Sequence, residues 1–218
     1  MTCLQNTIDT SAMTECLQKL NHSARQKVRQ SLAIDSGNVA VFTGGLYEKK
    51  RLAFLLSSAH RIRERIPDFH LIVIGDGPQR QLVEVAAEDC EWIHYQGKLD
   101  DVEKVPFWAI SKLLLMPGLV GLVIIDSFAL GVPLVTTDYP YHSPEFSYHV
   151  NNLNAVVSSP WESEEAYVGR VCELLMDDQA LAQLKGGALD SAKSYSMENM
   201  VNRMVSGICS ALDFREKT

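Results

Sequence analysis

The chain has 218 residues, 46% of them hydrophobic and 22% charged, with a formal net charge of −7, enough for a substantial core in one domain, or one domain with a tail. The acidic balance argues against a nucleic-acid binder, which carries a basic face, and no apolar run approaches the about 20 residues of a membrane helix. Met1 to Asn6 lacks the basic and apolar regions of a signal peptide, and five scattered cysteines (Cys3, Cys16, Cys90, Cys172, Cys209) with no C-x-x-C pair point to reduced thiols in a cytoplasmic protein, with neither a zinc site nor a disulfide frame.

Three segments follow in order: 1–35, a lead-in and first helix; 36–195, the main domain; and 196–218, a C-terminal helix and tail. Ser23 to Ala33 mixes basic and apolar residues and reads as a surface helix packed through Val28 and Leu32. Val39 to Thr43 is a continuous apolar run before Gly44-Gly45, the pattern of a buried parallel strand entering a turn. Lys49, Lys50 and Arg51 then open a helix with an apolar stripe at Leu52, Leu55, Leu56, Ala59, Ile62 and Ile66. Three cations at a helix start oppose its macrodipole; a bound anion would remove the conflict, and a solvated basic turn is the plainer alternative.

Leu71 to Ile74 is a second strand, ending in the turn Gly75-Asp76-Gly77-Pro78, where Asp76 reads as a turn residue before a ligand contact. Gln79 to Glu88 gives a helix and Trp92 to Tyr95 a third strand. After Gly97-Lys98-Leu99, Asp100 and Glu103 fit a capping box. Lys98 reads as solvated.

Residues 112–137 organise the chain. Leu113 to Met116 is a strand, Gly118 and Gly121 allow a tight reversal, Leu122 to Leu130 is a helix apolar nearly all round, and Gly131 and Pro133 stop it before the strand Leu134 to Thr137. Asp126, the one charge on that helix, is costly if buried without a partner. The helix's free N–H groups make a natural anion site. Ser143 before Pro144 reads as a cap and first position of a further helix, placing Glu145 at its positive end. His142 and His149 belong to no spaced ligand set, and no catalytic residue is assigned. Asn151 to Val157, Asn-Asn-Leu-Asn-Ala-Val-Val, resembles a D-G-x-N-G-x-L-V stretch of the family named below, which implies a loop and last strand; Asn152 and Ala155 replace its two glycines, and asparagine tolerates a left-handed backbone. Trp161 to Met176, Ala180 to Ala192 and Met197 to Leu212 read as closing helices. Ser196 is an N-cap for the last, and Arg215 to Thr218 is expected to fray.

Six short strands alternating with helices predict an α/β fold, a doubly wound, mostly parallel sheet. Its ligands sit outside the carboxyl ends of the strands, where Gly44-Gly45, Gly97 and Gly118 to Gly121 all fall.

The stretch Pro117 to Pro133 is similar to the nucleotide-sugar signature of the retaining glycosyltransferases of family 4, with the GT-B fold. Pro117, Gly121, Leu122, Gly131 and Pro133 match, Asp126 stands where that family has its ribose-binding glutamate, and Gly118 where it has a sugar-contacting one. Gly44 to Lys50 resembles the G-R-L-x-x-x-K element that grips the diphosphate, with Lys50 as the lysine and Gly45 in place of the arginine. Gly75 to Pro78 resembles the G-D-G-P turn, Gly97 to Leu99 the G-x-L loop whose backbone contacts the base, Pro144-Glu145 the P-E pair, and Gln5 to Thr10 the segment joining the two GT-B domains.

The resemblance implies the Rossmann-like second half of a GT-B enzyme, binding a nucleotide sugar such as a UDP-sugar. The diphosphate falls to Gly44, Gly45, Lys50, Gly121, Leu122 and Val123, the ribose to Asp126, the base to the backbone of Gly97, Lys98 and Leu99, and the sugar to Gly118 and Glu145. No metal or other cofactor is implied. The acceptor would belong to an N-terminal domain or partner chain, and an acceptor at a membrane surface is one candidate. Two other readings stand beside transfer with retention: a nucleotide-sugar 2-epimerase of the same architecture, and a non-catalytic nucleotide-binding or partner module, motivated by Gly118 and Gly45 in place of charged family residues.

Overall fold

The computed structural model describes residues 4–215, with side chains through residue 212. Cys3 and the fraying expected at residues 216–218 lie outside the described residues. In chain order come helices α1 (Ser11–Lys19) and α2 (His22–Ser31), strand β1 (Val39–Thr43), a 3-10 turn (Glu48–Lys50), α3 (Leu52–Arg65), β2 (His70–Ile74), α4 (Arg80–Asp89), β3 (Ile93–Tyr95), α5 (Val105–Trp108) and β4 (Leu113–Met116). Then follow α6 (Val123–Leu130), β5 (Leu134–Thr137), a second 3-10 turn (Pro144–Tyr148), β6 (Ala155–Ser158), α7 (Glu164–Met176), α8 (Asp178–Ser194) and α9 (Met197–Arg215).

The six strands form one sheet in the order β3-β2-β1-β4-β5-β6, and every pairing is parallel. The doubly wound α/β sheet expected from the sequence is therefore the observed one. Strands buried on both faces need cover on both, which is why β1 and β4 read as apolar runs and why Thr136 and Thr137 of β5 are buried as well. Cover comes from α3, which packs with α4 and α7, and from α6, which packs with α1 and α8. The strand order reverses between β1 and β4, and their carboxyl ends open the crevice where such sheets bind ligands.

Local chemistry explains most boundaries. Asn21 caps α2 through Ala24 N (2.9 Å), Asp100 and Glu103 make the expected reciprocal box at 2.8 and 3.0 Å, and Ser196 caps α9 through Asn199 N. Asn152 does adopt a left-handed backbone (φ 61°). Two expectations need correction. The lead-in contains a helix, α1, whose apolar positions Met13, Leu17 and Leu20 fall at helical spacing; only Met13 is fully buried. Ser143 and Pro144 start a 3-10 turn, not an α-helix, and the Ser143 side chain makes no cap. There the chain is held instead by Asn6, whose side chain donates to Glu145 (2.9 Å) while its carbonyl accepts from the Tyr148 hydroxyl (3.0 Å).

Candidate functional site

The loops at the carboxyl ends of β1, β2 and β3 are tied side by side by their backbones. Gly44 N donates to Ile74 O (3.0 Å), Gly75 N to Gly97 O (2.7 Å) and Leu46 N to Asp76 O (2.9 Å). Gly75 is required here: its φ is 149°, and a Cβ would lie 1.9 Å from Gly44 O. Asp76 acts as the turn residue the sequence suggests, its Oδ1 accepting from Gly77 N at 2.8 Å. Between these loops lies a cavity of about 580 Å³ lined by Thr43, Gly44, Gly45, the turn at 74–77, and Lys98 and Leu99. Lys98 is exposed, as expected. Thr43 is held by the Trp108 indole, which donates to its Oγ1 at 3.1 Å.

Next to Gly44 stands Lys50, whose Nζ would lie 3.7 Å from a Cβ placed on that glycine. Its side chain, 6% exposed, is no solvated surface lysine. It donates to Leu119 O at 2.6 Å and lies 5.7 Å from the centre of the Tyr47 ring. Among the described residues it forms no ion pair. Burial without an anion pulls its ammonium down to about 8, since desolvation penalises the charged form.

The turn before α6 rides directly on this lysine's backbone. Leu119 N donates to Lys49 O (2.8 Å), and a Cβ on Gly118 would sit 2.2 Å from that same oxygen. Any side chain at Gly118 would collide with main chain. Beyond the turn, the pairing of α6 opens with Ile124 N to Gly121 O at 3.1 Å. The amides of Gly121 to Val123 therefore belong to the helix end that has no intrahelical partners.

Arg51, which the sequence reading left among the basic residues of the turn, organises the other flank. From a left-handed backbone (φ 56°) it donates to Pro117 O (3.0 Å), Thr137 Oγ1 (3.3 Å) and Trp161 O (2.9 Å), with its guanidinium against the Phe54 and Trp161 rings. Two of the three cations at the start of α3 are thus drawn inward, and only Lys49 stays exposed.

Asp126 has the partner its burial demands. At 4% exposure its Oδ2 accepts from Lys104 Nζ at 2.8 Å, and Lys104, 6% exposed, also reaches Asp101 at 2.8 Å. Oδ1 of Asp126 has no hydrogen-bond partner among the described residues. Burial holds Asp126 above the ordinary carboxylate range against the pull of Lys104. Burial also opposes the charge on Lys104, but Asp126 and Asp101 outweigh it and hold the ammonium above its ordinary value.

The structure therefore brings Gly44, Gly45, Lys98 and Leu99 to one cavity, with Gly97 tied into its wall and Lys50 beside Gly44, while Gly118 packs on the main chain of Lys49 and Lys50. Gly121 lies beside Ser143. Asp126 sits in α6 behind its ion pair, and Glu145, 9% exposed, is engaged with Asn6. Sequence reasoning missed Lys104, because 22 residues separate it from its partner. His142, which the sequence places in no ligand set, turns out to bridge Thr137 O and Val120 N with its two ring nitrogens, a contact no local pattern signals.

Parallel doubly wound topology with a glycine-walled crevice at the strand ends defines a Rossmann-like domain. Solved structures that share this fold include glycosyltransferases. HepE of Anabaena in complex with UDP superimposes with a TM-score of 0.76 at 16% identity, over 95% of this chain and 57% of that one. The C-terminal domain of a glycosyl transferase group 1 protein (LpcC) of Francisella tularensis does so with a TM-score of 0.67 at 18% identity, over 87% of this chain and 99% of that one.

The sequence profile described as glycosyl transferases group 1 matches residues 37–177, and the chain belongs to that family. It is 26% identical over 164 residues to the phosphatidyl-myo-inositol mannosyltransferase of Mycolicibacterium smegmatis, covering 73% of this chain and 42% of that protein. To the 2-deoxystreptamine glucosyltransferase of Streptomyces kanamyceticus it is 27% identical over 177 residues, or 75% and 43%. The chain thus spans under half the length of these curated relatives.

Proposed function

We propose that the chain is the donor-binding half of a glycosyltransferase, holding a nucleoside-diphosphate sugar for transfer with retention. The observation that carries this is Lys50: an ammonium 6% exposed, without a carboxylate partner among the described residues, at the lip of a glycine-walled cavity and beside a helix N-terminus. A buried unpaired charge is costly, and a diphosphate would remove that cost. The phosphates meet Lys50 and the amides of Gly121 to Val123 and the base lies along the backbone of Gly97 to Leu99; the ribose falls to Asp126 by the family resemblance, although that carboxylate is buried behind Lys104. Catalysis rests on stabilising charge on the leaving diphosphate, and no metal is needed.

The acceptor belongs to a second body, an N-terminal domain or partner chain. The exposed stripe of α9, Met197, Val201, Met204, Val205, Ile208 and Leu212, supports such a covering partner. A second reading, a non-catalytic binding module, is favoured by Gly118, where main-chain crowding leaves no room for a sugar-contacting side chain.

Titration calorimetry of the chain against UDP, GDP and ADP tests the proposal, with Lys50→Ala and Asp126→Asn beside the wild type. One diphosphate is expected to bind selectively. A charge-assisted hydrogen bond is worth about 1.5–3 kcal/mol, so Lys50→Ala should weaken binding by about 10- to 100-fold while raising stability by relieving the buried charge. Unchanged affinity in Lys50→Ala would refute the site, and binding without sugar transfer by the assembled protein would favour the non-catalytic reading.

A further inference from the structure

One histidine beside the anion site has no role in the proposed function. His142 stands between β5 and the second 3-10 turn, its ring only partly exposed. Its Nε2 lies 2.9 Å from Thr137 O, and its Nδ1 lies 3.0 Å from Val120 N. A backbone N–H can only donate and a carbonyl only accept. The geometry therefore fixes the ring as neutral, with its proton on Nε2. One face stacks on Phe146 with ring centres 3.8 Å apart, and Phe146 stacks in turn on His149 at 4.1 Å.

What this bridge holds is the turn that carries the anion-site contacts. One residue before Val120 is Leu119, whose carbonyl takes the Lys50 ammonium and whose amide binds Lys49 O. One residue after it is Gly121, where the open end of α6 begins. The imidazole thus joins the Thr137 hydroxyl, which donates to Pro117 O at 2.8 Å, and Ser143 N, which donates to Val120 O at 3.0 Å, in tying the end of β5 and the loop after it to the segment that positions both Lys50 and the helix amides. Both nitrogens are engaged, so His142 has none left for a substrate.

We infer that His142 is a positioning residue for the diphosphate site: as the neutral Nε2–H tautomer it holds the Val120 amide of the 117–121 turn against the end of β5, and protonation breaks that hold and loosens this end of the turn. The inference rests on the donor-site reading for the identity of the ligand but not for the clamp itself. A proton on Nδ1 would set two donors against each other, Nδ1–H and Val120 N–H. Burial opposes the cation first; Lys50 and His149 add to the opposition, while Asp138 and the Thr137 carbonyl favour it.

Two variants separate the roles. His142→Phe keeps the stack on Phe146 and removes both hydrogen bonds. His142→Gln supplies an acceptor and a donor but cannot titrate. UDP, GDP and ADP are titrated into the 218-residue chain and both variants from pH 8 to pH 5.5, and amide exchange at Val120 is followed in parallel. With two hydrogen bonds lost, affinity for whichever diphosphate binds should fall about tenfold or more in His142→Phe at pH 8, and less than about threefold in His142→Gln. As pH falls, wild-type affinity should drop below that of His142→Gln, because titration of Lys50 and of the ligand is common to both. A constant ratio across pH, or full affinity in His142→Phe, overturns the inference. If no diphosphate binds the wild type, the donor-site reading is what fails, and exchange decides the clamp. Faster Val120 exchange in His142→Phe, and in wild type relative to His142→Gln at pH 5.5, supports it; equal exchange overturns it.

Discussion

Replacing Lys104 by methionine keeps the length and packing of the side chain but leaves Asp126 buried without its cation. Both partners are over 90% shielded and only 2.8 Å apart, and one Asp126 oxygen is already unsatisfied. Removing one member of such a pair costs about 3–5 kcal/mol. For a chain of this size that corresponds to a fall in Tm of about 6–20 °C. Urea unfolding followed by circular dichroism reads it directly.

The loss has a defined pH dependence. Burial raises the folded pKa of Asp126, and without Lys104 it rises further, so the folded variant prefers the protonated acid. The penalty is therefore full above that raised pKa and shrinks as pH falls through it toward the unfolded value. The double variant Lys104→Met with Asp126→Leu replaces the pair by apolar groups and should return to within about 1 kcal/mol of wild type. A single-variant loss below about 1 kcal/mol, or a double variant no more stable than Lys104→Met, would refute the argument that the pair is a coupled buried unit.

Gly118→Ala forces a Cβ to 2.2 Å from Lys49 O, so the turn must move off Lys50; a loss of about 2 kcal/mol or more is expected in urea unfolding, with Lys50 moving from about 8 toward the ordinary lysine range by NMR titration. The histidine pair His70 and His94, with ring nitrogens 3.0 Å apart, makes the fold acid-sensitive. Burial and the neighbouring His70 take His94 down to about 4, below the unfolded value, so stability is full above about pH 6.5 and is lost as pH falls toward 4. Urea midpoints between pH 7.5 and pH 4.5 should show that slope, reduced in His94→Gln; an equal slope in the variant would exclude the pair as its source.

The fold was legible because its strands announce themselves. Val39 to Thr43 and Leu113 to Met116 are apolar runs ended by glycine or proline, Leu134 to Thr137 follows the Gly131 and Pro133 stop, and each is a strand of the observed sheet. The carboxyl ends of the strands marked where a crevice must open, so Gly44, Gly45 and Gly97 could be placed around it from the strand pattern, and Lys98 and Leu99 through the family resemblance. What stayed hidden was every interaction between distant segments. That Asp126 needed a partner followed from its apolar helix, but nothing local pointed to Lys104. Lys49, Lys50 and Arg51 looked alike as a basic run; only the packing sends Lys50 and Arg51 to different pockets and leaves Lys49 outside. Helix α1 carried the right spacing at Met13, Leu17 and Leu20, but that pattern sits in a mostly polar stretch with a single fully buried residue. The 3-10 turn at Pro144 escaped because a serine before a proline opens either kind of helix.

The two glycines that replace charged residues of the resembling family differ in what their surroundings allow a descendant sequence to regain. A side chain on Gly45 would meet the Tyr47 ring at 2.8 Å, an obstacle made of side chain alone, which a change of rotamer at Tyr47 would clear. At Gly118 the obstacle is the main chain of Lys49 and Lys50, which no rotamer change clears. A lineage that once settled this turn onto that lysine would face an uphill intermediate on any route back to a glutamate. Natural variants should accordingly diversify at position 45 and stay fixed at position 118, unless the whole turn is rebuilt in concert.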